Sequence, residues 1–336
     1  MTIKDLSVQT GYSVGTISRA LNHHPNVSKK AREVILKAAE ECGFQLNANA
    51  KQLKQQHGNS ILVVVKGTSN ELFAELVEAI QTRFSPLSYP LIVDYQDEDM
   101  NEVARAVQLC AEKKPLGIIF LGGNQQNFRR HFGKIDVPCV LVTNGAAELD
   151  FENLSSVCTD DLQASRDAME VLIAMGHRQI AIIGGKYDGS DTSRLRFDGC
   201  MAALSQHEIP FDRAQDYKAI RFSYQDGYNA TRQLLENGRP FTALFAVADV
   251  IAIGAIRALR DSGLRVPEDV SVMGYDGLTL GNYLVPKLST VNQSVSLLAK
   301  QSADILLDCI ENGGKARHET VPYTVCQRES TRAYGQ

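Results

Sequence analysis

Long apolar runs are missing from this 336-residue sequence. No stretch approaches the roughly 18 consecutive apolar residues that a membrane-spanning helix needs. The amino terminus, MTIKDLSVQTG, is polar and has none of the apolar core of a secretory signal peptide. We therefore expect a cytoplasmic protein that makes no contact with a membrane.

Motifs for metals, cofactors and catalysis are also missing. The seven cysteines are scattered and form no CxxC pair, which favours a reducing compartment and buried thiols. The histidines show no metal-ligand spacing. There is no GxxxxGK[ST] phosphate loop and no HExxH motif, and the glycine-rich stretches at 121–126 and 184–190 are not GxGxxG. These absences predict a protein that is not an enzyme and that has neither a metal nor a cofactor.

The net charge is slightly negative overall but positive at the amino-terminal end. The net charge is −4, yet residues 1–60 hold eight Lys or Arg against four Asp or Glu, a net +4 that leaves −8 for the rest. A basic segment on an acidic body is expected where only that segment meets a polyanion. Chance in a short segment is the alternative explanation.

The basic segment predicts three short helices. The first runs from Thr2, which forms a capping box with Asp5, to Gly11. The second opens at Ser13 and the third is capped by Ser28. Apolar residues expected on the inner faces are Ile3, Leu6, Val8, Ile17, Ala20, Leu21, Ala31, Val34, Ile35, Ala38, Ala39 and Cys42. Two helices joined by a few residues around a glycine are typical of the helix-turn-helix, whose second helix enters the major groove. An ordinary three-helix bundle is the alternative.

The second helix, within GYSVGTISRALN, has an unusually small outer surface. Gly15 weakens it by about 1 kcal/mol relative to alanine, but it allows the backbone to approach base edges closely. Arg19 is long enough for a bidentate contact to guanine. The residues of this segment expected to bind DNA are Thr2, Ser13, Val14, Gly15, Thr16, Ser18, Arg19 and Asn22.

The remaining chain alternates short apolar runs with amphipathic stretches, which is typical of parallel α/β folds. Strands are predicted at 60–66, 89–95, 116–122, 137–143, 179–185, 241–247 and 269–275. Helices fit between them, for example at 72–84, 164–175, 227–235 and 252–262. Seven strands suit two doubly wound subdomains better than one, and a cleft between two such subdomains is a natural small-molecule site.

The stretch TIKDLSVQTGYSVGTISRALNHHPNVSKKAREVILKAAEECGF closely resembles the DNA-binding head of the lac repressor and purine repressor family. The resemblance covers essentially the whole chain, and IAMGHRQIAIIGG, SRLRFDG, ADVIAIGAIRALRDSGLRVPEDVSVMGYD and LSTVNQ also carry it. It implies a helix-turn-helix domain at 1–45, a hinge helix at 46–57 and an effector-binding, dimerising body at 58–336. The body would resemble periplasmic sugar-binding proteins, with two Rossmann-like subdomains.

The resemblance also implies how the chain divides within the body. Three crossings would lie near 156–160, 289–293 and 319–321. The first subdomain would span about 59–157 and 292–318, and the second about 158–291 and 319–336. Because the chain ends soon after VPYTV, we expect a homodimer without an added tetramerising helix.

In the hinge, the resemblance implies a leucine wedged into the minor groove of operator DNA. Leu53 matches that leucine, while Leu46 and Lys51 replace the family's usual proline and arginine. The hinge residues expected to contact DNA are Asn47, Ala50, Lys51 and Leu53. Composition alone would favour a polar linker.

For the effector, the resemblance implies a guanidinium at Arg196, a carboxylate at Asp276, and aromatic contacts from Phe222 and Phe73. Further candidates are Asp249, Thr192, Gln293 and Thr143, the last in place of an aspartate of many sugar-binding members. The protein is thus expected to be a repressor that binds double-stranded operator DNA and a sugar-like effector. A purine- or partner-dependent corepressor-type regulator, or a metabolite-processing enzyme with a DNA-binding head, are the alternatives.

Overall fold

The computed structural model describes residues 3–21, 27–42, 58–68, 70–188 and 190–335. The chain divides into two compact units, Met1–His57 and Gly58–Gln336, called here the head and the body. All seven cysteines are unpaired thiols; two are buried and five half-buried. No helix of the described residues is both long and apolar enough to cross a membrane.

The head contains α1 (Ile3–Thr10), α2 (Val14–Leu21) and α3 (Lys29–Glu41), as the sequence predicts. Its core is formed by Leu6, Ile17, Ala20, Ile35 and Ala39. Gly11 follows α1 with a φ of +70°, a conformation that glycine adopts without strain. Ser28 caps α3 by accepting a hydrogen bond from the Ala31 amide, as predicted.

Two of the predicted inner-face residues are on the outside of the head. Val8 is 87% exposed and Val34 is 42% exposed. Each short helix meets its neighbours along a narrow stripe, so apolar residues one position off that stripe remain in solvent.

The body contains, in chain order, β1 (Ile61–Lys66), α4 (Glu71–Phe84), β2 (Leu91–Gln96), α5 (Glu102–Lys113), β3 (Gly117–Leu121), α6 (Gln125–His131), β4 (Cys139–Val142), β5 (Leu154–Thr159), α7 (Asp161–Ala174), β6 (Ile180–Gly184), α8 (Asp191–Gln206), α9 (Arg213–Asp216), β7 (Tyr217–Ala219), α10 (Tyr224–Glu236), β8 (Ala243–Ala246), α11 (Asp249–Asp261), β9 (Ser271–Asp276), β10 (Ser289–Gln293), α12 (Val295–Asn312), β11 (His318–Val321) and β12 (Tyr323–Cys326). The seven predicted strands are all present, with ends shifted by at most two residues. The stretch VPYTV near the end of the chain also reads as a strand and corresponds to β12, whereas β5, β7, β10 and β11 were not predicted.

These strands form two six-stranded sheets. The first has the order β11-β5-β4-β3-β1-β2 and is parallel throughout. The second has the order β12-β10-β9-β8-β6-β7 and is parallel except for β12, which runs antiparallel to β10. The strands β3, β4, β6 and β8 are buried along their whole length, as expected for parallel sheets covered by helices on both faces.

The chain passes from one sheet to the other after Thr159, after Gln293 and after Val321. We call the first sheet with α4, α5, α6 and α12 the first subdomain, and the second sheet with α7 to α11 the second subdomain. Strand β10 pairs entirely within the second sheet and β11 within the first. Each subdomain is therefore built from separate pieces of chain, and the carboxyl ends of strands from both subdomains meet at one cleft.

Candidate functional site

A cavity of about 610 Å³ lies between the two subdomains, at the carboxyl ends of their strands. This is where open α/β sheets bind ligands, and the volume is in the usual range for small-molecule sites. Strand β1 delivers Lys66 to the cavity, and β9 delivers Asp276. Helices α4, α8 and α10 begin at its wall.

Arg196 lies on the cavity floor, in the second turn of α8, and is only 2% exposed. Its Nε donates to Asp161 Oδ1 at 2.9 Å, and its Nη1 donates to the Val247 carbonyl at 2.6 Å and to Asp276 Oδ1 at 3.4 Å. The guanidinium also stacks on Tyr275, 3.6 Å from the ring centroid. These contacts hold the arginine in one orientation.

Asp276 carries an acceptor that the described residues leave without a partner. Its Oδ1 accepts from Gln293 Nε2 at 2.9 Å, whereas its buried Oδ2 has no hydrogen bond among them. Burial raises the pKa of Asp276 to about 6, against the opposing attraction of Arg196. A buried acceptor without a partner is unfavourable, so this oxygen is suited to receive a hydrogen bond from a ligand.

Asp161 is a member of this cluster that sequence reasoning missed. It is the first residue of α7, is 4% exposed, and accepts from both Arg196 and the Tyr275 hydroxyl, the latter at 2.7 Å. Burial raises its pKa, which Arg196 and Tyr275 partly offset. Its sequence position signals only a helix start, because the partner lies 35 residues away.

The side walls come from both subdomains. Phe73 and Phe222 line the cavity, as do Thr143 and its neighbour Asn144. The Asn144 amide donates to Thr192 Oγ1 at 2.9 Å and so joins the two subdomains. Thr143 has a φ of +74°, a strained conformation for a β-branched residue and one that clusters at functional sites. Asn144 was not predicted from the sequence.

Six of the eight residues expected to contact an effector line this cavity, namely Phe73, Thr143, Thr192, Arg196, Phe222 and Asp276. The other two do not line it. Asp249 is fully buried and accepts from the Leu278 amide and from Thr290 Oγ1, both at 2.7 Å. Gln293 accepts from Thr159 Oγ1 at 2.9 Å and donates to Asp276. Gln293 therefore positions the Asp276 carboxylate from behind the cavity floor, whereas Asp249, the first residue of α11, ties the start of that helix to β10 and to the segment after β9.

His177 is buried in the second subdomain, away from the cavity. It is 2% exposed, and its ring nitrogens bond to Thr242 Oγ1 at 2.9 Å and to Ser271 Oγ and the Arg332 carbonyl, both at 3.1 Å. Burial lowers its pKa. The histidine fastens the last residues of the chain to the second sheet and makes no contribution to the cavity lining.

In the head, α2 and the residue before it contain five of the residues expected to contact DNA besides Ser18. Arg19 is exposed, and its Nε donates to the Gly15 carbonyl at 3.1 Å. A Cβ added to Gly15 would meet no atom closer than 3.8 Å, so packing within the head does not require glycine there. Ser13 accepts from the Thr16 amide at 3.2 Å. Val14 and Ser18 also lie in α2. The remaining predicted contacts lie outside the described residues: Thr2, Asn22, Asn47, Ala50, Lys51 and Leu53, with the rest of 46–57.

The residues GYSVG, at 11–15, match the GxSxG pattern of a nucleophile elbow. That motif requires a strand before the serine, whereas here α1 precedes it and Ser13 caps α2. Among the described residues, no group of three or more His, Cys, Asp or Glu is placed to hold a metal ion.

Comparison with known proteins agrees with both parts of this architecture. Residues 2–47 match the family "Bacterial regulatory proteins, lacI family", and residues 169–331 match a periplasmic binding protein-like domain. The chain is 32% identical to the transcriptional regulator MalR of Clostridium butyricum, over 98% of this chain and 99% of that protein. It is also 32% identical to the probable transcriptional repressor ExuR of Bacillus subtilis, over 92% of both chains.

Solved structures of similar proteins include the lac repressor dimer bound to operator and the anti-inducer ONPF, with 27% identity, a TM-score of 0.76 and 99% of both chains covered. Another is a complex of the transcriptional regulator CelR with cellobiose, with 26% identity, a TM-score of 0.71, and 98% of this chain and 99% of that chain covered. These relatives are transcription regulators rather than enzymes. The chain therefore belongs to the lacI family of bacterial regulatory proteins and is a DNA-binding transcriptional repressor regulated by a sugar or another metabolite.

Proposed function

We propose that this repressor is controlled by a sugar or sugar derivative that binds in the cavity between the subdomains. The observation that carries the proposal is the pair formed by Arg196 and Asp276 on the cavity floor. A guanidinium that donates beside a carboxylate oxygen that accepts matches two adjacent hydroxyls of a sugar ring. Phe73 and Phe222 supply apolar surface for the ring faces.

The proposed contact residues differ from a standard hexose site at one wall. Thr143 has a single hydroxyl where many sugar-binding relatives have a carboxylate, and that hydroxyl already lies 3.3 Å from Asn144 Oδ1. The effector is therefore expected to need fewer hydrogen bonds on this side than an ordinary hexose makes. This favours a modified or less polar sugar.

The protein is proposed to act as a homodimer in the cytoplasm, as the solved operator complex of the lac repressor dimer suggests by similarity. Two heads would then read the two halves of a roughly palindromic operator. Coupling between effector and operator binding is expected to be about 1–3 kcal/mol, a 5- to 150-fold change in operator affinity.

A thermal-shift screen of the full chain against sugars, nucleosides and purines tests this function. A ligand at 100 times its dissociation constant adds roughly 2.7 kcal/mol to stability. The proposal predicts that a sugar stabilises the protein and changes its affinity for a promoter fragment. Stabilisation by purines alone would favour the purine-dependent alternative, and conversion of a bound sugar into product would favour an enzyme.

Arg19→Ala is expected to weaken binding to the preferred operator by about 1–3 kcal/mol and to relax discrimination at one base pair, because it removes a bidentate contact to guanine. Anisotropy titrations against operators substituted at single positions measure this. Arg19→Lys is the matched control, since it keeps the charge but not the fork geometry. Equal weakening on every operator, restored by lysine, would show that Arg19 contacts only phosphate.

Gly15→Ala is expected to stabilise α2 and yet to weaken operator binding. The site has no close neighbours that a Cβ would strike, so the substitution should gain about 1 kcal/mol of helix propensity. The added methyl group would hold the helix backbone away from the base edges. Hydrogen exchange of the α2 amides and operator titration measure the two effects, and a variant with unchanged operator affinity would argue against close approach at this position.

Effector affinity is expected to fall as the pH is lowered through about 6, because protonation of Asp276 removes an acceptor and its charge. The stability of the ligand-free protein changes with pH in the opposite direction, because the folded state binds the Asp276 proton more tightly than the unfolded chain does. This contribution to the free energy of unfolding is complete below the ordinary pKa of 3.8 and is lost as the pH rises through about 6. Calorimetric titrations between pH 5 and 8 test the first effect. A pH-independent affinity would mean that the ligand does not use this carboxylate.

A further inference from the structure

We infer that the cavity selects effectors by charge, and that it takes a neutral sugar or an amino sugar and rejects phosphorylated sugars and uronates. This inference rests on the proposed function and specifies the ligand class of the same site. Four cationic side chains line the cavity, against five carboxylates and two further carboxylates bonded directly behind it. Carboxylates therefore outnumber cations around the ligand.

The deep cations are already paired. Lys66 donates to Glu102 Oε2 at 2.8 Å, and the Glu102 side chain is completely buried. Arg196 is held by Asp161 and Asp276 at 2.9 and 3.4 Å, and these side chains are at most 4% exposed. An anionic ligand that approached either cation would face the carboxylate that neutralises it.

At the mouth of the cavity, one arginine faces three carboxylates. Arg221, between β7 and α10, contacts Asp97 at 2.5 Å, Glu98 at 2.7 Å and Asp99 at 3.7 Å. The three acids follow β2 of the first subdomain, so this cluster also bridges the cleft. A single guanidinium cannot balance three negative charges, and the entrance remains acidic. Lys186 is exposed at the rim and has no ion pair among the described residues.

Helix starts are ordinarily good anion sites, but at this cavity each start already has a side-chain cap and a carboxylate of the protein. Helices α4, α8 and α10 each have an acidic residue in the first turn: Glu71, Asp191 and Asp226. Each also has a side-chain cap that accepts from a first-turn amide, and all three caps line the cavity: Asn70, Ser190 and Ser223. At each of these helix starts the cap already bonds one amide and a carboxylate offsets the dipole charge, so the start attracts an anion less strongly than an uncapped, neutral one would.

Ligands that donate hydrogen bonds are favoured in this cavity. The unpartnered Oδ2 of Asp276 is suited to accept a hydrogen bond from a hydroxyl or an ammonium group, whereas a phosphate or carboxylate would lose its water beside an excess of like charge, which is unfavourable. A neutral sugar is expected to bind at least about tenfold more tightly than its own phosphate or uronate. The amino derivative of the same sugar is expected to bind at least as tightly as its parent.

The test uses the full chain and matched sets built on one ring: a hexose, its 2-amino derivative, its uronate and its 6-phosphate, repeated for several hexoses and disaccharides. Thermal shift identifies the binding sets, and calorimetry gives the affinity ratios. The inference is supported if the neutral or amino sugar of a set binds at least tenfold more tightly than the uronate and the phosphate of the same set. Tighter binding of an anionic member overturns the charge rule and leaves sugar control intact. Stabilisation by no sugar, either in these sets or in the wider thermal-shift screen, overturns the proposed function and the charge rule together.

A double variant, Asp97→Asn with Glu98→Gln, tests whether the acidic residues at the mouth of the cavity cause the charge selectivity. It removes two negative charges and keeps hydrogen-bond acceptors for Arg221, so the ratio of neutral to anionic affinity should shrink several-fold. Glu152→Gln is the control, since Glu152 is an exposed carboxylate outside the cavity lining. An unchanged ratio in the double variant, or an equal change in the control, would show that these acids do not set the selectivity.

Discussion

Arg196→Ala is expected to lower the free energy of unfolding of the body by about 3–5 kcal/mol, which is the usual effect of removing one partner of a buried ion pair. Asp161 and Asp276 would remain buried without their counterion, and Tyr275 would lose the guanidinium stacked on its ring. Denaturant unfolding of the full chain, followed by circular dichroism, measures the change.

Arg194→Ala provides the matched control two residues earlier on the same helix. Arg194 is 39% exposed and forms only surface ion pairs, at 3.5 Å with Asp191 and 3.7 Å with Asp198. Its removal is expected to change stability by less than about 1 kcal/mol. If the two variants are equally stable, the Arg196 cluster is not a buried charge network of the kind described here.

Asp276→Asn is expected to weaken effector binding by roughly tenfold to 150-fold with the fold intact, since a hydrogen bond to a charged group contributes about 1.5–3 kcal/mol. Asparagine keeps an oxygen for Gln293 Nε2 but places an amide donor where the unpartnered Oδ2 lies. Asparagine also tolerates the φ of +119° at this position better than most residues. Because burial disfavours the ionised form of Asp276, the neutral variant should be no less stable than the parent at pH 7.

Calorimetry with the sugar identified by screening measures this effect, and Asp226→Asn is its control. Asp226 also lines the cavity, but its Oδ2 already accepts from Ser223 Oγ at 2.6 Å. The loss of affinity should therefore be much smaller. Full effector affinity in Asp276→Asn would remove Asp276 from the binding site.

The apolar strands were predictable from the sequence because a parallel sheet buries both faces of each strand. The strands β5 and β10 were not, since they bury Ser, Thr and Gln side chains whose partners lie far along the chain. Ser156 bonds to His318, 162 residues away, and Thr290 bonds to Asp249, 41 residues away. Local periodicity contains no signal for such pairs.

In the cavity, too, residues within recognisable motifs could be predicted from the sequence, whereas residues defined by distant partners could not. Arg196 and Asp276 were identified because motifs around them resemble those of a known family. Asp161, which holds Arg196 from behind the cavity, and Asn144, which lines it, were missed because the bonding partner of each lies on another element. The acids Asp97, Glu98 and Asp99 look like a solvated turn in the sequence, and only the folded body places them against Arg221.

Control of DNA binding through the cavity is the central claim, and one titration tests it directly. The dissociation constant of the full chain for its promoter fragment is measured at fixed salt, with and without a saturating amount of the sugar found by screening. We predict a change of about 5- to 150-fold in the parent protein, and we expect Asp276→Asn to need roughly 10- to 150-fold more sugar to reach half of the same change. An unchanged dissociation constant in the parent, with the sugar shown by calorimetry to be bound, would contradict the claim.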